Sequence, residues 1–229
     1  MIPIIIAVDG YSSTGKSTIA KSLAKVLGYT YIDTGAMYRA VSLHALRQGY
    51  LMGSDINVES LIADLKSIEI SFFLATDSNS VVCLNEEPVE SEIRGMEVSN
   101  CVSRISAIPQ VRAFLVAQQQ MMGVKKGLVM DGRDIGSVVF PKAELKLFMT
   151  ASEEIRARRR YDELLAKGDD VDFDSVRSNI AERDYRDTHR EIAPLIQTDD
   201  AIVLDNSNLS PQEQLDWVLK KVNQITSNL

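Results

Sequence analysis

A lysine and a serine close the run Gly10-Tyr11-Ser12-Ser13-Thr14-Gly15-Lys16-Ser17, which matches the pattern G-x-x-x-x-G-K-[ST] in full. Glycines let such a loop adopt positive φ and bring its backbone close to an anion. The loop N–H groups and the start of the following helix then favour phosphate. Lys16 has the reach for β- and γ-phosphates, and the Ser17 hydroxyl can ligate Mg²⁺. Four further clusters carry charge suited to phosphate chemistry. In Asp131-Gly132-Arg133-Asp134, Asp131 can hold Mg²⁺ through water, Arg133 can clamp a phosphate and Asp134 can read a base or a hydroxyl; a polar turn closing a strand is the plainer reading. In Asp33-Thr34-Gly35-Ala36-Met37-Tyr38-Arg39, Thr34 is expected to cap a helix whose end can face an anion. Arg39 follows one turn later, or is merely solvated. Arg183, Asp187 and Arg190 are spaced i, i+4, i+7 on one expected helix face, an arrangement that also fits a solvated ladder of ion pairs. The segment 151–160 holds Arg156, Arg158, Arg159 and Arg160, and arginines of this density can neutralise a migrating phosphoryl group.

The elements that must position these residues alternate strand and helix. Ile4-Ile5-Ile6-Ala7-Val8 reads as a buried parallel strand, and the phosphate-type loop follows it at once. Ile19, Leu23, Val26 and Leu27 then share a helix face. Strands are expected at 29–33, 128–131, 144–149 and 201–205, and helices at 36–48, 97–107, 109–122 and 211–226. Five such strands with helices between them predict a doubly wound parallel sheet of the P-loop NTPase type. Residues 50–98 read as an insert, with a short helix near 58–63 and antiparallel strands at 68–74 and 81–85 around an Asp77-Ser78-Asn79 turn. The stretch 152–190, broken at Gly168-Asp169-Asp170, is too polar for core and is expected to be a mobile helical lid with few apolar anchors.

The chain of 229 residues suits one α/β domain with a core of 1–49, 99–151 and 191–229. A net charge of −7 argues against a broad nucleic-acid surface. Cys83 and Cys101 form neither a metal spacing nor a disulfide framework, so a reducing compartment and a packing role are expected. No apolar run has membrane-span length and no signal peptide is evident, which makes the cytoplasm the expected location and a membrane partner unexpected. His44 and His189 read as structural or surface residues, and Trp217 as core.

Together, Asp9 to Thr18, Asp33 to Arg39, Ile93-Arg94, Asp131 to Gly136, Val138 to Pro141, Glu182 to Arg190 and Ala193-Pro194-Leu195 resemble the bacterial type of cytidylate kinase, a nucleoside monophosphate kinase family. The D-G-R-D-I-G segment and the helix at 182–190 make the resemblance specific. It implies transfer of the γ-phosphoryl group of ATP to CMP or dCMP with Mg²⁺; separately, a monomer is expected. It also implies an enlarged monophosphate-binding insert. Gly10, Tyr11, Ser12, Ser13, Thr14, Gly15, Lys16, Ser17 and Thr18 would bind ATP. Thr34, Arg39 and Arg133 would face the acceptor phosphate, while Ser103, Arg112 and Asp134 would read cytosine. Arg183 and Asp187 would contact the sugar, Arg190 would lie by the base, and Arg156 and Arg158 would come from the lid. Tyr11 stands where a smaller residue is common, and it is not expected to block the loop, because its side chain can point outward. A kinase for UMP or AMP is the alternative within the class, and a nucleotide-dependent switch the alternative outside it. No guanine-reading N-K-x-D pattern supports the latter.

Overall fold

The computed structural model describes residues 2–53, 55–74 and 80–227. By packing, the chain divides into two units, one made of Met1–Tyr31 and Lys125–Leu229, the other of Ile32–Val124. In chain order the elements begin with β1 (Ile5–Gly10), α1 (Lys16–Leu27) and β2 (Thr30–Asp33). The second unit continues with α2 (Thr34–Arg47), β3 (Leu51–Met52), β4 (Asp55–Ile56), α3 (Val58–Asp64), β5 (Ile70–Leu74), β6 (Ser80–Leu84), β7 (Glu87–Pro88), α4 (Met96–Ile105) and α5 (Pro109–Met122). The chain then returns to the first unit through β8 (Leu128–Asp131), β9 (Leu145–Thr150), α6 (Glu153–Ala166), α7 (Phe173–His189), β10 (Ile202–Asp205) and α8 (Pro211–Thr226).

The first unit is built on the expected five-stranded sheet, in the order β10-β9-β1-β8-β2. Its central strand β1 runs parallel to both neighbours, with Ile6 opposite Val129 on one side and Leu145 on the other. A central strand covered on both faces must be apolar at successive positions, and Ile6, Ala7 and Val8 are all fully buried. Ile19 and Leu23 of α1 and Val218 and Val222 of α8 join Ile6, Val8, Leu147 and Met149 in one core, against which Trp217 is half-buried. The chain leaves β1 towards β2, returns to β8, and crosses to β9 and β10. That reversal places the loops after β1, β8, β9 and β10 at one carboxyl edge, where open α/β sheets bind ligands.

Helices α6 and α7 bracket the Gly168 break as expected, but they are not without anchors. Ala157, Val176 and Ile180 form a small buried cluster flanked by Tyr161, Leu164, Val171 and Phe173. The apolar residues are few but fall on the facing sides of the two helices, so a highly charged hairpin still has a core.

In the second unit α2 packs against α4, α5 and β6. The strands β5, β6 and β7 form an antiparallel sheet, with Phe72 opposite Val82. The expected Asp77-Ser78-Asn79 turn lies outside the described residues. The unit runs from Ile32 to Val124, with α4 and α5 packed on α2 and α2 on the small sheet. Cys83 and Cys101 are both buried and free, and His44 Nε2 lies 2.6 Å from Asp64 Oδ2. No described helix is long and apolar enough to cross a membrane.

Candidate active site

The loop between β1 and α1 is shaped by its backbone. Gly10 has φ +148°, and a Cβ there would sit 2.1 Å from the Met149 carbonyl oxygen of β9. Only glycine permits that approach. Gly15 (φ +85°) and Ser13 (φ +58°) take the left-handed region and turn the chain into α1. Thr14 Oγ1 donates to the Tyr11 carbonyl at 3.0 Å, and Asn206 Nδ2, just past β10, donates to the Thr14 carbonyl at 2.7 Å. Tyr11 does not point freely outward. Its ring meets Phe148 edge-on at 5.7 Å and carries the Arg156 guanidinium 5.3 Å from its centre, where the ring face attracts the cation.

Lys16 lies inside this loop, 6% exposed, with Nζ donating to the Tyr11 carbonyl at 2.5 Å and to Thr14 Oγ1 at 3.4 Å. Burial, and then the nearby Arg133 charge, push its pKa well below the usual lysine value, against the pull of Asp131, Asp187 and Asp9. Ser17 Oγ donates to Asp131 Oδ2 at 2.9 Å, and Tyr31 donates its phenolic proton to Asp131 Oδ1 at 2.7 Å. A hydroxyl and a carboxylate in contact are hard oxygen donors. Mg²⁺ sites commonly combine one or two such groups with substrate phosphates, so Ser17 and Asp131 fit the ion.

Two arginines converge on Ser12. Arg133 Nη2 donates to Ser12 Oγ at 3.3 Å while its Nε donates to Asp187 Oδ2 at 2.7 Å. Arg156, 7% exposed, donates through Nη1 to the Ser12 carbonyl at 3.2 Å, and pairs with Asp184 Oδ2. Asp184 Oδ1 in turn accepts the Ser12 N–H at 3.0 Å. Burial opposes ionisation of Asp187, but the charges of Arg133, Arg190 and Arg183 outweigh it and hold the carboxyl below its ordinary pKa. Burial likewise opposes the Arg133 charge, and Asp187 more than restores it. Arg190 Nη2 reaches Asp134 Oδ1 at 3.4 Å, its Nε donating to the Ala193 carbonyl. Thus Arg183, Asp187 and Arg190 of the i, i+4, i+7 face serve one charge network rather than a solvated ladder. Arg158 differs: it is exposed and lies 4.4 Å over the Phe173 ring within the hairpin.

Thr34, Arg39, Ser103 and Arg112 belong to the second unit. Thr34 is not the cap of α2. Asp33 is extended (φ −88°, ψ 100°) and its Oδ1 accepts the Ala36 N–H at 3.0 Å, leaving Thr34 as the first, buried helical residue. A carboxylate there gains from the helix dipole as well as from the hydrogen bond. Arg39 is not merely solvated, since Nη1 donates to the Ile93 carbonyl and to Ser99 Oγ, both at 3.0 Å. Arg112 is buried, donates to the Ser106 carbonyl at 3.2 Å and lies 5.4 Å over the Tyr38 ring. Ser103 is half-buried on α4, and its carbonyl accepts from Ser106 Oγ at 3.0 Å.

Four residues of the first unit's network were given no role by the sequence reading: Tyr31, Asp184, Asn206 and Asp9. Asp9 and Asp184 lie inside quoted segments, and only their folded partners distinguish them from neighbouring acids. Asn206 follows the last strand at the ligand edge, a positional cue that was available.

The sequence matches the family model described as cytidylate kinase over residues 6–224. It is 54% identical to the cytidylate kinase of Flavobacterium johnsoniae over 98% of both chains. It is 55% identical to that of Parabacteroides distasonis, covering 96% of this chain and 97% of the other. Among solved structures, an uncharacterized protein from Eubacterium ventriosum aligns over 97% of this chain and 99% of its own, with TM-score 0.51 and 11% identity, a likeness of fold alone.

Proposed function

Since the chain belongs to the cytidylate kinase family, we propose that it transfers the γ-phosphoryl group of ATP to CMP or dCMP, giving ADP and CDP or dCDP. The observation that carries this reading is the convergence of Arg133 and Arg156 on Ser12 of a phosphate loop that also encloses Lys16. Three cations on one loop suit a reaction whose transition state spreads negative charge over phosphoryl oxygens.

ATP is held by Gly10 to Thr18. Ser17, and Asp131 through water, would hold Mg²⁺, which when bound neutralises charge on the β- and γ-phosphates. Thr34, Arg39 and Arg133 bind the acceptor phosphate, Ser103, Arg112 and Asp134 the cytosine, and Arg183 and Asp187 the sugar, with Arg190 beside the base. The acceptor's phosphate oxygen attacks the γ-phosphorus in line. An anionic nucleophile needs no general base, so positioning and charge neutralisation supply the catalysis. Arg156 and Arg158 come from the α6–α7 hairpin, which acts as the lid of a single kinase domain. Its closure excludes water that would otherwise hydrolyse ATP. The enzyme works as a cytoplasmic monomer with no nucleic-acid or membrane partner.

A coupled assay of ADP release against CMP, dCMP, UMP and AMP tests the proposal. Turnover highest with CMP or dCMP is expected. Preference for UMP or AMP would transfer the reading to another monophosphate kinase, and slow hydrolysis indifferent to all four would point to a switch.

A further inference from the structure

Asp9 has no part in the transfer described above, yet its surroundings are specialised. It lies on β1 directly before Gly10, and is 6% exposed. Its Oδ1 accepts the Ile135 N–H at 2.8 Å and its Oδ2 the Gly136 N–H at 2.7 Å. Those two amides open the π-helical turn Ile135–Val139, immediately after Arg133 and Asp134. One carboxylate therefore holds two successive peptide groups next to the acid assigned to the base.

The packing at Gly136 is close. A Cβ there would lie 3.3 Å from Asp9 Oδ2 and 3.1 Å from Lys146 Cδ. This accounts for the last residue of the D-G-R-D-I-G segment, which the transfer chemistry leaves unused. The charged groups around Asp9 are Lys16 from α1, Asp134 from the segment after β8, and Lys146 from β9. Lys146 lays its stem along Gly136 and sends its ammonium to Asp200 at 2.7 Å. Burial pushes the Asp9 carboxyl up to about 6, the Gly136 and Ile135 amides and Lys16 pulling it down and Asp134 adding to the rise. At neutral pH it is still a carboxylate, and both of its hydrogen bonds are charge-assisted.

We propose that Asp9 is a positioning residue that fixes the Arg133–Asp134 segment at the carboxyl end of β1, so that it governs recognition of the acceptor nucleotide and not binding of ATP. The inference rests on the acceptor roles proposed for Arg133 and Asp134. Its backbone leads into the donor loop while its side chain holds the acceptor segment, so one residue registers the two.

The test compares wild type with Asp9→Asn, which keeps shape but presents an amide –NH₂ to one of the two N–H groups. First, amide exchange is measured without nucleotide. Residues 132–139 of the variant should exchange at least about tenfold faster, with α1 and α8 unchanged. Second, KM for CMP should rise about tenfold and discrimination of CMP from UMP should narrow, with KM for ATP within about twofold. Unchanged exchange at 132–139, or KM values for ATP and CMP that rise together, would overturn the proposal. Failure of wild type to use CMP would instead remove the acceptor assignment, while the exchange result still decides whether Asp9 holds the segment. Gly136→Ala is the second variant. It crowds the same contact and leaves the carboxylate in place, and should give the same split between the two KM values should Asp9→Asn not fold.

Discussion

The loop at 10–17 and the hairpin at 153–189 both carry cations proposed to act in phosphoryl transfer, but they hold them differently. In the loop, Lys16 rests on a backbone carbonyl, and the backbone is fixed by Gly10 against Met149 and by Asn206 against Thr14. In the hairpin and its neighbours, Arg156 is paired with Asp184 and Arg133 with Asp187. A cation resting on a carbonyl has a weak competitor for phosphate. A cation paired with a carboxylate must exchange one anion for another. On the proposed roles the loop is preset for its ligand, whereas the hairpin has to change partners. Within the hairpin Arg156 is neutralised by Asp184, and Arg158 is stacked on Phe173.

The contrast can be broken or sharpened by experiment. The largest effect is expected at the preset group. Lys16→Ala removes a charge proposed to act on the transferring phosphoryl and should lower kcat on the order of 10²-fold or more. A kcat near that of wild type would remove the loop from the chemistry. Next comes Asp134→Ala, read by calorimetry with each nucleotide alone. Loss of this buried carboxylate, proposed to read the base, should weaken CMP binding by roughly 1–3 kcal/mol and leave ATP binding nearly intact. A loss on the ATP side alone would refute that role. Asp187→Ala should be milder and different in kind. It releases Arg133 from its carboxylate and takes away a proposed sugar contact, so the CMP to dCMP preference should shift by a few-fold. Equal losses for both substrates would make Asp187 a purely structural partner of Arg133. The smallest change is expected in hydrogen exchange across 153–189. The Ala157, Val176 and Ile180 cluster should protect the hairpin without ligand, and ATP and CMP together should add protection that neither gives alone. Equal protection with one nucleotide would mean that partner exchange does not require both.

The same contrast explains what the sequence disclosed. The loop, the five strands and the ends of α6 and α7 were legible because glycine spacing, apolar runs and a Gly168 break are local signals. Ion pairs are not local. Arg156 with Asp184 is a contact across 28 positions, and Ser12 with Asp184 one across 172. Nothing in the spacing of 182–190 says whether Asp184 or Asp187 meets the loop. The cap of α2 failed for a finer reason, since Asp33 and Thr34 are both good caps and only the backbone angle at Asp33 decides between them. The contacts of Tyr11 were not legible because its partners, Phe148 and Arg156, lie far along the chain.

The placement of three side chains also gives the molecule separate internal reporters. Its one tryptophan, Trp217, packs against the core of the sheet unit, whereas both cysteines, Cys83 and Cys101, are 3% exposed within Ile32–Val124. Indole fluorescence therefore follows melting of the sheet, and thiol titration with a colorimetric disulfide follows opening of the other half. The order in which the two halves come apart can be read on the unmodified chain, with no label introduced.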